Sequence, residues 1–374
     1  MNKIHFHSID ALRFFAFLKI YLLHVPVQGD FPIFSYLKSG GGIGVAFFFV
    51  LSGFLITYLL VFDKIENGQI NIKKFLIRRS LRIWPLFYLM VIIVFLLPYE
   101  FKQNAGFHMV GGGYDLDWRY SFSFLENYKM LILDLPVKTT PLTVFWSLCI
   151  EEHFYLFWMT SLFFIPIKHL KKFFVISFFI AWAARIIEPL IFENVRIDSN
   201  DLFTNLDYFA SGGILGFMVA KDYNKVATFI QKIPTWIKYS VIVFVILIVV
   251  FQKEILPYET GSIFFIFRSS IIAIIFTFLI AVFIPLNSVI KIKNPVLSYL
   301  GKISYGLYVY HIIWIHVIFQ YMINRNIKID DWLTLSIFIG VTLGGSVLVS
   351  SLSFRYFETP FLSLRERLTK TRSK

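Results

Sequence analysis

The stretch S-I-D-A-L-R-F-F-A-F-L-K-I-Y-L-L-H, Ser8 to His24, decides the fold class of this chain. It is an apolar run of membrane-spanning length, yet Arg13, Lys19 and His24 interrupt it. At a helical rise of about 1.5 Å per residue, Arg13 and His24 stand about 16 Å apart along the axis. That is roughly half the hydrocarbon thickness of a bilayer. A charged side chain inside a membrane helix is costly, so it faces a protein interior or a water-filled cavity and has a task there. The helix therefore reads as one wall of a passage whose two ends hold different chemistry.

Composition agrees. Of the 374 residues 57% are hydrophobic and 45 are Phe, and the mean hydropathy is +0.70. These values indicate an integral membrane protein. The net charge of +13 does not point to nucleic acid, because the basic residues cluster between apolar segments, where orientation charges belong. The single Cys149 cannot form an intrachain disulfide, and no metal is expected. The first span lacks a small-residue cleavage pattern and keeps Lys19 in its middle, so it reads as retained rather than removed as a signal peptide.

Ten apolar segments of spanning length follow one another: 9–28, 43–62, 80–98, 145–166, 172–188, 204–220, 236–252, 263–286, 303–320 and 333–353. The expected fold is an all-α polytopic membrane protein, about ten transmembrane helices around a two-ended substrate passage. Residues 1–360 form the membrane domain and 361–374 a basic tail. Lys and Arg in the 63–79, 167–171, 221–235 and 287–302 connections and in the tail place both termini in the cytoplasm. The long 99–144 connection then lies outside, and its Gly111-Gly112-Gly113 run favours irregular backbone. Arg13 sits near the cytoplasm and His24 near the outer face.

Several sites could carry chemistry. In R-R-S-L-R-I-W-P, 78–85, Arg78 and Arg82 are four apart on one helix face, with Arg79 beside them. Their guanidinium forks suit phosphate oxygens; the competing reading is an anchor on acidic lipid. In W-S-L-C-I-E-E-H-F-Y, 146–155, Glu151 falls at a depth similar to His24. The two would form a base and its orienting carboxylate, or a structural hydrogen bond between helices. Ser52-Gly53 is either a close-packing spot or the wall of a ligand slot. Arg185, Glu188, Asp207, Arg268 and His311 are further inward-polar residues; Arg185 and Asp207 could pair with each other, as could Arg355 and Glu358. Walker, dinucleotide and H-E-x-x-H motifs are absent, as is a G-x-S-x-G elbow.

Taken together, these residues resemble the membrane acyltransferase-3 family, which includes bacterial polysaccharide O-acetyltransferases. The likeness covers nearly the whole chain. It rests on Arg13 and His24 in the first helix, F-F-V-L-S-G-F-L-I at 48–56, the arginine signature at 78–85, W-S-L-x-x-E-x-x-F-Y at 146–155 and I-S-Y-x-x-Y at 303–308. The resemblance implies acetyl-CoA as acyl-donor substrate, no tightly bound cofactor, and a carbohydrate hydroxyl on the far face as acceptor, in a surface polysaccharide or a lipid-linked oligosaccharide. It implies that His24 is the catalytic base or acyl relay, that Arg78 and Arg82 bind donor phosphates, and that Arg13 gives donor-side support. Glu151 would orient His24, and Ser147, Arg185 and Arg268 are possible donors to the acceptor or the transition state.

Two residues depart from the family pattern. Lys19 replaces an apolar residue, and His153 stands where glutamine is common; each either tunes the acceptor end or alters packing. No extracytoplasmic transferase domain is expected after the membrane unit; direct modification of the acceptor is expected instead. The expected setting is the bacterial cytoplasmic (inner) membrane. O-succinyl transfer, a glycan transporter or flippase, and a noncatalytic envelope partner are the alternatives. Arginines opposite an outer histidine favour the enzyme.

Overall fold

The computed structural model describes residues 4, 6–108, 113–192, 200–257, 263–288 and 290–369. Gly111, Gly112, Lys370, Arg372 and Lys374 lie outside them. The structure is helical, with two isolated bridges and no β-strand among the described residues. The first helices are α1 (His7–His24), α2 (Pro32–Lys38), α3 (Gly42–Asn67) and α4 (Ile72–Leu96). The short α5 (Tyr99–Asn104), α6 (Trp118–Phe122) and α7 (Glu126–Leu133) precede α8 (Trp146–Phe164). Then come α9 (Leu170–Ile191), α10 (Leu206–Lys221), α11 (Tyr223–Lys232), α12 (Thr235–Val250), α13 (Gln252–Ile255) and α14 (Ile263–Val282). The last four are α15 (Pro295–Lys302), α16 (Ser304–Asn324), α17 (Trp332–Ser353) and α18 (Thr359–Thr369).

Each of the ten expected segments holds a helix. Among the described residues six helical segments are long and apolar enough to cross a membrane, or seven if α11 and α12, bent by 94°, form one span. Charges interrupt α1 and α8, while α10 and α12 each have 16 residues. The protein is a multi-pass helical membrane protein.

The chain divides into two compact units. Unit 1 comprises Met1–Leu23, Pro32–Ile70 and Ile150–Gly301. Its centre is α3 against α10, brought together by small residues. A Cβ on Gly53 would strike the Phe209 carbonyl, and one on Gly212 or Gly216 would strike the Val50 or Phe54 carbonyl. Glycines here let two backbones touch. Gly53 is thus a packing position, and Phe154 stacks on Phe209 at 3.9 Å beside it. Lys64, expected only as an orientation charge, donates to the Leu162, Phe163 and Ile165 carbonyls at 2.6–3.0 Å. It thereby closes the otherwise unpaired C-terminus of α8.

Unit 2 comprises His24–Phe31, Asn71–Cys149 and Lys302–Lys374. Here α16 packs on α17, with Gly345 against the Trp314 ring, and α18 packs on α4. Between α17 and α18 the chain makes a π-helical turn, Phe354–Glu358. The expected Arg355–Glu358 ion pair does not form: Glu358 is buried and accepts from Ser353 Oγ at 3.3 Å, while Arg355 lies over the Tyr356 ring. The wider π turn changes the angular spacing that a local pair needs.

The 99–144 connection folds around a buried carboxylate. Tyr114 Oη donates to Glu126 Oε1 at 2.6 Å and Ser121 Oγ to Oε2 at 2.7 Å. Asp117 caps α6 by accepting from the Arg119 backbone, and its hydrogen bond to the Arg119 side chain holds its carboxyl at about 2. Glu126 moves the other way: burial, outweighing the two hydroxyl donors, raises its carboxyl above 4.5. The folded loop therefore keeps a proton over a window in which the unfolded chain has released it. Stability from this group is present at low pH and is lost as pH rises through the folded value. Glu126→Gln, fixed in the neutral form, is expected to flatten that decline in melting temperature as pH rises above the ordinary carboxylate range. An unchanged pH profile would show that Glu126 is not the group responsible.

Candidate functional site

Two groups of polar side chains in unit 2 have the geometry of a reactive site. The first is a histidine pair. The chain after α1 is pinned to the residues before α17: Gln28 N donates to the Ile329 carbonyl at 2.9 Å, and Ile329 N donates to Gln28 Oε1 at 3.1 Å. Phe31 meets the Trp332 ring edge-on at 5.0 Å. Gly29 lies so close to the Asp330 backbone that a Cβ would not fit. These contacts hold His24, half-buried at the end of α1.

His24 Nδ1 lies 3.3 Å from Nε2 of His311, which is fully buried on α16. His311 Nδ1 in turn lies 2.6 Å from the Tyr308 carbonyl. A carbonyl only accepts, so Nδ1 of His311 carries the proton and, in the neutral ring, Nε2 carries the lone pair. His24 then donates from Nδ1, and its own lone pair resides on Nε2. This is the tautomer a general base needs, with a partner that stabilises the ring once it is protonated.

The Tyr308 ring lies beside His311, with ring centroids 5.7 Å apart. Tyr308 Oη donates to the Val144 carbonyl at 2.6 Å and lies 2.6 Å from Ser147 Oγ. Further along α16, His316 Nδ1 is 2.6 Å from Thr140 Oγ1. Residues 308 and 311 are three apart and share a helical face.

The second group is cationic. Arg78, Arg79 and Arg82 are half-buried on α4, whose first turn is capped by Asn71 accepting from Lys74 N. The packing of α18 adds Arg365, close enough to Arg82 and Arg78 to feel both charges, and Thr369, whose Oγ1 accepts from Arg78 Nε at 3.3 Å. Glu358 is the nearby acid, within electrostatic reach of Arg82. Tyr305, at the start of α16, donates to the Ile83 carbonyl at 2.8 Å, next to Arg82. One helix thus links the groups: Tyr305 touches the arginine segment, and His311 lies about 9 Å further along the axis.

The remaining expected residues lie in unit 1. Arg13 is half-buried on α1, which runs without a break to His24. Glu151 is half-buried and accepts from Ser52 Oγ at 3.0 Å and Tyr155 Oη at 3.1 Å, while Glu152 is buried. Arg185 pairs with Asp207 at 2.6 Å and also donates to the Thr204 and Ile266 carbonyls. Ser270 completes that network through Asp207 Oδ2. Arg268 Nε donates to the Leu256 carbonyl at 3.0 Å. His153 is half-buried on α8. Of the three expected donors, Ser147 alone shares unit 2 with the histidines. Among the described residues no cluster of His, Cys, Asp or Glu is arranged as a metal site requires.

Sequence reasoning named His311 only as one of several inward-polar residues. It missed His316 and Thr140, and it read Arg365 as a tail charge. The periodicity of 308 and 311 on one helix face was the available signal for Tyr308 and His311.

Comparison with known proteins adds a separate finding. Residues 6–351 match the acyltransferase domain model of the acyltransferase-3 family. A Staphylococcus aureus (strain COL) protein provisionally named an O-acetyltransferase is 29% identical over 379 residues, covering 95% of this chain and 57% of that protein. The peptidoglycan O-acetyltransferase OatA of Listeria monocytogenes is 27% identical over 371 residues, covering 94% and 55%. The O-acetyltransferase OatA of Staphylococcus aureus (strain NCTC 8325) is 26% identical over 373 residues, covering 94% and 56%. The chain thus spans little more than half the length of the relatives it matches. No solved structure matches it.

Proposed function

The chain belongs to the acyltransferase-3 family, and from that premise we propose that it transfers an acyl group, acetyl from acetyl-CoA, to a hydroxyl of an extracytoplasmic or lipid-linked glycan. The observation that carries this reading is the His24–His311 pair on the same unit as the arginine patch. The relatives' names, O-acetyltransferase and peptidoglycan O-acetyltransferase, support the acyl group and the acceptor class.

In the proposed reaction the arginines of α4 and α18 hold the phosphates of the donor. His24 Nε2 takes the proton of the acceptor hydroxyl as its oxygen attacks the thioester carbonyl. The C–O bond forms and the C–S bond breaks. The imidazolium of His24 then protonates the departing sulfur, giving ester and free thiol. His311 acts as a positioning residue, fixing the tautomer of His24 and accepting from its Nδ1–H throughout. Ser147 is the candidate donor to the developing oxyanion, once its single O–H turns away from Tyr308 Oη. The roles the resemblance implies for Glu151, as an acidic catalytic group, and for Arg13, as donor-side support, are part of the proposal; within unit 1 Glu151 accepts from Ser52 and Tyr155. The proposed setting is the bacterial cytoplasmic membrane with both termini inside, as the loop charges favour.

The test is acetyl-labelled acetyl-CoA supplied to vesicles containing the purified protein and a glycan acceptor. Label is expected in an ester on the glycan. Glycan movement across the vesicle without any label transfer would replace the enzyme reading with a transporter.

A further inference from the structure

A cavity of about 370 Å³ lies within unit 1, between α1, α3, α12 and α14. Its walls are apolar side chains such as Phe15, Leu22, Phe47, Val249 and Phe276, and the one charged side chain among its lining residues is Lys19. The size falls within the range of small-molecule sites, about 300–1,000 Å³. Ile246 on α12 also lines it and is 56% exposed, so the cavity reaches an apolar part of the protein surface.

Lys19 is 6% exposed, and its Nζ donates to the Leu37 carbonyl at 2.7 Å. That carbonyl belongs to the last turn of α2, where carbonyls lack helical partners. The cap uses one of three N–H groups of the ammonium. Among the described residues no carboxylate pairs with Lys19. A neutral donor would serve as the cap; a full charge in an apolar wall is costly without a counter-charge. A phosphate ester would supply that charge and acceptors for the remaining N–H groups.

We infer that this cavity binds an anionic amphiphile, with its hydrocarbon chain between α1, α12 and α14 and its phosphate on Lys19. The inference does not rest on acyl transfer. Two sources share this chemistry, an isoprenoid phosphate and a membrane phospholipid.

The test is native mass spectrometry of the full chain in detergent, titrated with two matched pairs: farnesyl phosphate against farnesol, and phosphatidylglycerol against diacylglycerol. At least one phosphate is expected to bind about tenfold or more tightly than its uncharged partner, the effect of one charge-assisted contact. The phosphate that binds more tightly identifies the source. Lys19→Gln is expected to equalise the members of each pair, Lys19→Arg to preserve the preference, and Val249→Trp to weaken phosphate and alcohol alike. Equal binding of phosphate and alcohol by the unaltered protein would overturn the inference, as would a preference that survives in folded Lys19→Gln. If Lys19→Gln does not fold, Val249→Trp decides: unchanged phosphate binding by that variant also overturns it.

Discussion

Replacing His24 with alanine is expected to reduce acyl transfer by about 10²- to 10⁴-fold, the usual contribution of a positioned general base. Protein abundance should stay near that of the unaltered chain, because His24 is half-buried and the segment after it is held by Gln28, Gly29 and Phe31. The loss should fall on kcat. His311 supplies the sharper comparison. A hydrogen bond to a group that becomes charged contributes about 1.5–3 kcal/mol, so His311→Leu should lower kcat about 10- to 100-fold. It should leave both KM values near their starting points. His311→Gln returns an acceptor to the position and should recover part of the rate. Equal activity of the Leu and Gln variants would mean that His311 fills space rather than positioning His24. A folded His24→Ala protein with full activity would remove His24 from the chemistry altogether.

The arginine patch should separate from the histidines in kinetics. Each guanidinium that meets a donor phosphate contributes about 1.5–3 kcal/mol through charge-assisted hydrogen bonds. Arg78→Gln, Arg82→Gln and Arg365→Gln are each expected to raise the KM for acetyl-CoA about 10- to 100-fold, with the acceptor KM unchanged. Lysine at these positions should restore only part of the affinity, because it keeps the charge and loses the planar fork. Arg367, exposed on the same helix, is the control, and Arg367→Gln should behave as the unaltered protein does. Raising ionic strength should weaken donor binding in the unaltered protein more than in the triple variant. If donor KM stays constant while membrane insertion falls, the patch is an anchor on acidic lipid and not a donor site.

Much of this molecule can be read from the chain alone. Long apolar runs dictate helices, because inside a bilayer the backbone must satisfy its own hydrogen bonds. The ten segments were therefore legible, and so were the points where charge interrupts them. Arg13 and His24 stand out in α1 because a polar group in such a run is costly. The spacing of Arg78 and Arg82 was equally plain.

Partnership was not legible. His24 and His311 are 287 residues apart, and local periodicity carries no information about which helices meet. Expected depth singled out Glu151 as a partner for His24 and gave no sign of His311, which lies at His24 Nδ1 in unit 2. Arg365 counted as an ordinary inside charge until α18 packed on α4 and brought it to Arg78 and Arg82. Arg185 and Asp207 were one possible pairing among several until packing closed a buried network around them. The sequence alone determined the helices and the costly residues in them; tertiary packing decided which of those residues compensate one another, because electrostatic and hydrogen-bond partners are chosen by distance in space.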